Sequence, residues 1–294
     1  MNDPVEVWRL PEQEFKAGRR AFAWTVGPAG ELVVLVVSEE QLSNAYGWVR
    51  LDLPCDAELV TVTPEGEWRM QLRGVTVHPD HLAMLPGGRT LVVCAGADEL
   101  ADGWERNAVV HGPDGLPARE LTLGHCIQAL VTDRDGRIWM AYGDEGVHGD
   151  HPASQTGLHG MDTAGRTVWS PERGELPGYP LEGLAAATEG RAVWLAWYPD
   201  TKGSFLTRVD PAGGPSSSLP LPVREPVGFA VRGDRAVFLD HRSGLLWAER
   251  VGAGWKELRR APLGLPGELD RQRAYGRNGE LWFRSGNGWY RVAA

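Results

Sequence analysis

Short glycine turns recur along this chain in two interleaved series, and this recurrence constrains the fold more than any other feature. The clearest copy is Asp133-Arg134-Asp135-Gly136-Arg137-Ile138-Trp139-Met140-Ala141-Tyr142. An Asp-Gly pair between two apolar runs is a strong hairpin signal, because the turn needs positive φ and glycine supplies it without strain. Related turns fall at Pro28-Ala29-Gly30, Pro86-Gly87-Gly88, Glu189-Gly190, Gly233-Asp234 and Asn278-Gly279, each followed by a short apolar strand. A second series falls between them, at Pro64-Glu65-Gly66, Pro113-Asp114-Gly115, Thr163-Ala164-Gly165, Pro211-Ala212-Gly213 and Gly252-Ala253-Gly254.

The first series repeats every roughly 44 to 58 residues. Four strands per period at this spacing predict an all-β fold, a six-bladed β-propeller with four-stranded antiparallel blades. The wide first period contains no second such hairpin between Ser38 and Asp56, only a long loop. The last unit runs out before its fourth strand. Val5-Glu6-Val7-Trp8-Arg9-Leu10 is a lone alternating strand that can complete it, closing the ring and removing an open edge. No long segment has a helical period, and no linker or second domain is visible, so residues 1–294 read as a single domain.

Charge narrows the partners. The net charge is -9 and no Lys/Arg run exceeds two residues, which disfavours nucleic acid. The longest apolar run, Leu32 to Val37, is far too short to span a bilayer. Met1-Asn2-Asp3-Pro4-Val5-Glu6 lacks the basic-then-apolar pattern of a secretory signal. Cys55, Cys94 and Cys126 are widely spaced and form no disulfide framework, which fits a cytoplasmic protein with reduced thiols; a monomer is expected. Lys16, Lys202 and Lys256 are the only lysines, and with the richness in Ala, Gly and Pro this suggests a high-GC bacterial source.

In such a ring the glycine turns share one face. The loops between second and third strands, and the crossovers between blades, share the other. The latter are long and varied, and loops on a rigid scaffold commonly carry function. His78 and His81 lie in a crossover, His125 precedes the third inner strand, and His148 and His151 lie in Gly143-Asp144-Glu145-Gly146-Val147-His148-Gly149-Asp150-His151. His241 follows Asp240. Trp48, Trp104 and Tyr198 are stacking candidates, whereas Trp139, Trp194 and Trp282 recur after the turns and read as packing between blades. Cys94 and Cys126 read as core.

Three chemistries follow. His78, His125, Asp144, Glu182, Tyr198, Asp240 and Arg273 are candidate ligand-binding residues for a small molecule, glycan or peptide at the mouth, without catalysis. Glu145, His148 and His241 are the candidate catalytic set if the protein is an enzyme, either a metal-dependent hydrolase or lactonase, or an acid/base lyase or isomerase. His148, Asp150 and His151 could hold a divalent metal such as zinc, manganese or iron, while the plainer reading of these residues is solvated loop side chains. A plain protein-interaction scaffold is the third reading.

The segment Asp133-Arg134-Asp135-Gly136-Arg137-Ile138-Trp139 resembles the repeat of the NHL, two-component-regulator and gluconolactonase-like propellers. The resemblance covers about one blade and implies the propeller architecture. Gluconolactonase-like enzymes bind a metal through Glu, Asn and Asp at inner strands. Glu182 is placed to match the Glu, but no Asn opens an inner strand here.

Overall fold

Asp133 shows why the turns recur. A computed structural model describes residues 3–45, 47–199, 203–240 and 244–294. In it, Asp133 Oδ1 accepts the N–H groups of Asp135 and Arg137, each at 2.9 Å, and Oδ2 accepts the Trp139 indole N–H at 3.0 Å. One carboxylate thus closes the turn and fixes the first large side chain of the next strand. Gly136 sits at φ 84°, where a Cβ would also lie 2.6 Å from Pro86 of the preceding sheet. Asp114, Asp162 and Asp210 close their turns in the same way, each accepting the N–H two residues on.

The strands assemble into antiparallel four-stranded sets in chain order. The first is Arg19–Val26, Leu32–Ser38, Cys55–Thr63 and Gly66–Val75. The second is His81–Leu85, Arg89–Val93, Ala108–His111 and Pro117–Leu121. The third starts at Ile127–Thr132 and the fifth at Pro226–Arg232. An eight-stranded mixed sheet holds two further sets, starting at Pro180–Glu189 and Leu269–Arg277. The innermost strands touch in sequence order, and Leu269–Arg277 also touches Arg19–Val26.

The core lies between the sheets. Val33 and Leu35 of the first pack with Leu82 and Val92 of the second. Trp24 and Val34 of the first pack with Trp282 and Trp289 of the last. Strands covered on both sides read as unbroken apolar runs, which is why Leu32–Ser38 is nearly all Val and Leu.

Small residues set the asymmetry. A Cβ on Gly276 would stand 2.0 Å from the Phe229 carbonyl oxygen and 2.5 Å from Ala187 Cβ. The backbones approach so closely there that Ala187 and Thr188 pair in parallel with Gly276 and Arg277. Arg277, 2% exposed, fills the axis at this end. It donates to the carbonyls of Val26 and Thr132 and to Thr188 Oγ1, linking inner strands of four sets.

Val5–Arg9 pairs antiparallel with Gly288–Ala293, Trp8 facing Trp289. Two local differences from the sequence reading matter. The stretch Ser38 to Asp56 is not a bare loop: Leu42–Ala45 and Trp48–Leu51 pair as a hairpin. The polar loop after Tyr142 contains a one-turn helix, Asp144–Val147. No helix among the described residues is long and apolar enough to cross a membrane.

Candidate functional site

Bulges aim the side chains at the mouth. Along the inner strands the register slips by one residue at Phe22, Gln128, Leu184 and Val227, and more irregularly between Leu269 and Ala274. An extra residue in one strand bends it and redirects the bulged side chain. Gln128, Leu184 and Val227 line the narrow remainder of the axial channel, about 20 Å³. Phe22 and Arg273 reach instead into a cleft of about 1060 Å³ beside it.

The hairpin Leu42–Leu51 overhangs this cleft. It is braced at its base, where Gln41 Nε2 donates to the Asp56 carbonyl at 2.8 Å and Ser43 Oγ to Asp52 at 2.6 Å. Its Trp48 is 63% exposed and lines the cleft. Arg20 below it is tied to Glu39 at 2.5 Å.

The crossover between the first and second sets forms the opposite wall. His78 Nδ1 lies 3.1 Å from Asp80 Oδ1, and Asp80 Oδ2 accepts the Ala95 N–H at 2.9 Å. Burial would raise the Asp80 carboxyl, but His78 and the Ala95 N–H outweigh it and hold the group well below the usual carboxylate range. The His78 ring meets the Phe22 ring edge-on at 5.4 Å. Its Nε2 is buried and has no hydrogen-bond partner. Cys94 also lines the cleft; it is half-buried, and burial first, with Asp80 adding, pushes its thiol up to about 11. Such a group is a neutral thiol at pH 7 rather than a nucleophile. The reading of Cys94 as pure core is corrected accordingly.

Arg273 closes the cleft floor and borders the axial channel. Among the described residues none pairs with its guanidinium. His81 beneath it is buried, with Nε2 2.8 Å from the Ile127 carbonyl. Burial and then the charge of Arg273 depress its pKa to about 4, so it is neutral at pH 7.

The remaining candidates fall in separate places. Glu182 accepts the Asp144 N–H at 2.9 Å, so these two are neighbours between adjacent sets. Burial raises the Glu182 carboxyl, and Asp144 and Glu145 add to the rise against that hydrogen bond. Tyr198 faces Glu182 in the strand register. His125 Nδ1 lies 3.0 Å from the Ala97 carbonyl, and the His151 ring meets Trp104 edge-on at 4.8 Å. His148 and Asp150 are exposed. Among the described residues no group of three or more His, Cys, Asp or Glu is arranged to hold a metal, so His148, Asp150 and His151 are not gathered as a metal set. Asp240 lies 3.8 Å from Arg260. His241 lies outside the described residues.

The structure therefore brings His78 and Arg273 together in one cleft with Trp48, and sets Asp144, Glu145, Glu182 and Tyr198 apart on the next sets. Arg20, Phe22 and Asp80 were not singled out from sequence. Asp80 was legible in principle, inside His78-Pro79-Asp80-His81. Arg20 and Phe22 were not, because their aim depends on a bulge.

No family model matches the chain, and no curated sequence matches it. Solved structures do. A gluconolactonase from Xanthomonas campestris matches at 12% identity over 99% of this chain and 97% of that one, with a TM-score of 0.52. Hydrazine synthase of Kuenenia stuttgartiensis matches at 12% identity, over 93% and 95%, with a TM-score of 0.53. A complex of Atg21 with a coiled coil of Atg16 matches at 11% identity, over 93% and 81%, with a TM-score of 0.57. At these identities the likeness shows the fold, a β-propeller.

Proposed function

We propose that residues 1–294 form one six-bladed β-propeller, in which the eight-stranded sheet counts as two blades and Val5–Arg9 completes the last. Its function in this reading is to bind a small molecule, glycan or peptide at the mouth, without catalysis. The observation that carries it is the cleft of about 1060 Å³ between the Leu42–Leu51 hairpin and the His78–Asp80 crossover. That volume suits a small ligand or a short stretch of chain. Trp48 and Phe22 offer apolar faces, Arg273 offers unused donors, and His78 Nε2 is without a partner. The unpaired cysteines fit a reducing, cytoplasmic setting, and nothing in the charge distribution favours nucleic acid.

An enzyme is the second reading, favoured by one observation. Asp80 orients the His78 imidazole through Nδ1 and leaves Nε2 buried without a partner in a cleft-lining residue, the arrangement of a general base. In this second reading the acid/base work would fall to His78 rather than to the Glu145, His148 and His241 set.

The test is a thermal-shift screen of the full chain against metabolites, oligosaccharides and short peptides, repeated with Trp48→Ala and His78→Ala. Stabilisation lost in both variants supports the cleft. Stabilisation insensitive to both but lost in Glu182→Ala moves the site to the third and fourth blades and overturns this assignment. Conversion of a hit, abolished by Asp80→Asn with binding kept, decides for the enzyme.

A further inference from the structure

Arg273 sits half-buried on the cleft floor, and no described residue accepts a hydrogen bond from it. A guanidinium carries five N–H donors in a planar fork, and those of Arg273 open onto the cleft, since none of its nitrogens is buried without a partner. The groups around it do not supply acceptors. His81 has committed Nε2 to the Ile127 carbonyl. Tyr275, which borders the axial channel together with Arg273, is 6% exposed, and its hydroxyl has no partner. On the wall, His78 Nε2 is a second buried atom without a partner.

The complement of such a floor is a planar anion that accepts two parallel hydrogen bonds. The walls limit its charge. Glu39, Asp80, Asp98 and Glu105 line the same cleft against Arg20, Arg50 and Arg273. Four carboxylates facing three arginines oppose a phosphate dianion but tolerate a single negative charge on Arg273, the half-buried member of the two cleft arginines, Arg50 and Arg273, that pair with no described residue. Phe22 and Trp48 stand where the rest of such a ligand would lie.

We propose that Arg273 is a carboxylate anchor, and that the cleft takes a monoanionic acid, with its carboxylate on the guanidinium and its body against Phe22 and Trp48. This rests on the cleft being the binding site. The shared chemistry is the carboxylate, whether of a small organic acid, a sugar acid or a peptide C-terminus.

The experiment uses the full chain labelled with ¹⁵N. The Arg273 Nε–H signal is assigned by its loss in Arg273→Lys, and the Trp48 indole signal, which reports cleft occupancy, by its loss in Trp48→Phe. Indole-3-acetate, glucuronate and N-acetyl-phenylalanine are each titrated against their own amides at constant ionic strength. At least one acid is expected to shift both signals and to bind about tenfold or more tightly than its amide. Arg273→Gln should remove that preference and leave the amide unchanged. The acid that responds identifies the source. An acid that moves Trp48 but not Arg273, or binds no better than its amide, overturns the anchor and leaves the cleft standing. No movement of Arg273 with any acid at millimolar concentration overturns the anchor. No movement of Trp48 with any probe counts against the cleft itself.

Discussion

Arg277, on the last inner strand, donates a hydrogen bond to the backbone carbonyl of Thr132 on the third. Burial lowers its pKa to about 10, so it remains a cation at pH 7. Its other bonds reach Val26 and Thr188, so one side chain ties distant parts of the chain. Arg277→Met should leave those acceptors unmatched and lower stability by about 3 kcal/mol or more. Urea unfolding at pH 7 measures this; a loss below 1 kcal/mol would show that Arg277 is a passive filler.

Acid should destabilise the fold well before its carboxylates titrate. His81 and His159 are buried and held neutral, each with its pKa depressed to about 4 by burial first. An unfolded histidine titrates near 6.5. Between those values the unfolded chain binds more protons, so stability falls as pH drops from about 6.5 toward 4, by up to about 3 kcal/mol per histidine. Unfolding free energies across that window should slope less steeply in His159→Gln, and parallel slopes would remove His159 as a source.

Gly276→Ala should be harmful despite its modest chemistry. The added methyl would meet the Phe229 carbonyl oxygen and Ala187 Cβ inside contact distance. Separating those backbones breaks the parallel pairing of Ala187 with Gly276. A loss of about 1–3 kcal/mol is expected. Gly213→Ala, whose Cβ would meet nothing within 4 Å, serves as the contrast for glycine substitution itself, although its φ of 99° carries its own strain.

Removing residues 1–10 should cost at least about 3 kcal/mol in apolar burial alone. Leu10 is 2% exposed, its N–H donates to the Asn287 carbonyl at 3.0 Å, and the Trp8 ring lies 5.0 Å from that of Trp289. Thermal unfolding of the truncated chain is the check. An unchanged midpoint would show that the N-terminal strand is ornamental and would count against ring closure.

The hairpins were legible in the sequence because their cause is local. Asp133 acts on residues within six positions of itself. The cleft was only partly legible because its causes are not local. Arg273 meets Arg20 and Phe22 from the far end of the chain, and the register slips that turn Phe22 toward the mouth leave no compositional mark. The Leu42–Leu51 hairpin escaped notice for a different reason. Most of it is exposed on both sides, so it shows none of the alternation that betrays a half-buried strand. His78 and Trp48 were found because loop histidines and loop tryptophans stand out by type alone.

The filling of the axis by Arg277 and the meeting of Ala187 with Gly276 make the molecule a cup rather than a pipe. Whatever enters must leave by the same opening, so an occupant seated above Arg273 stands in the path of anything deeper. In the proposed binding reading, entry and exit then share that one opening, which the Leu42–Leu51 hairpin borders.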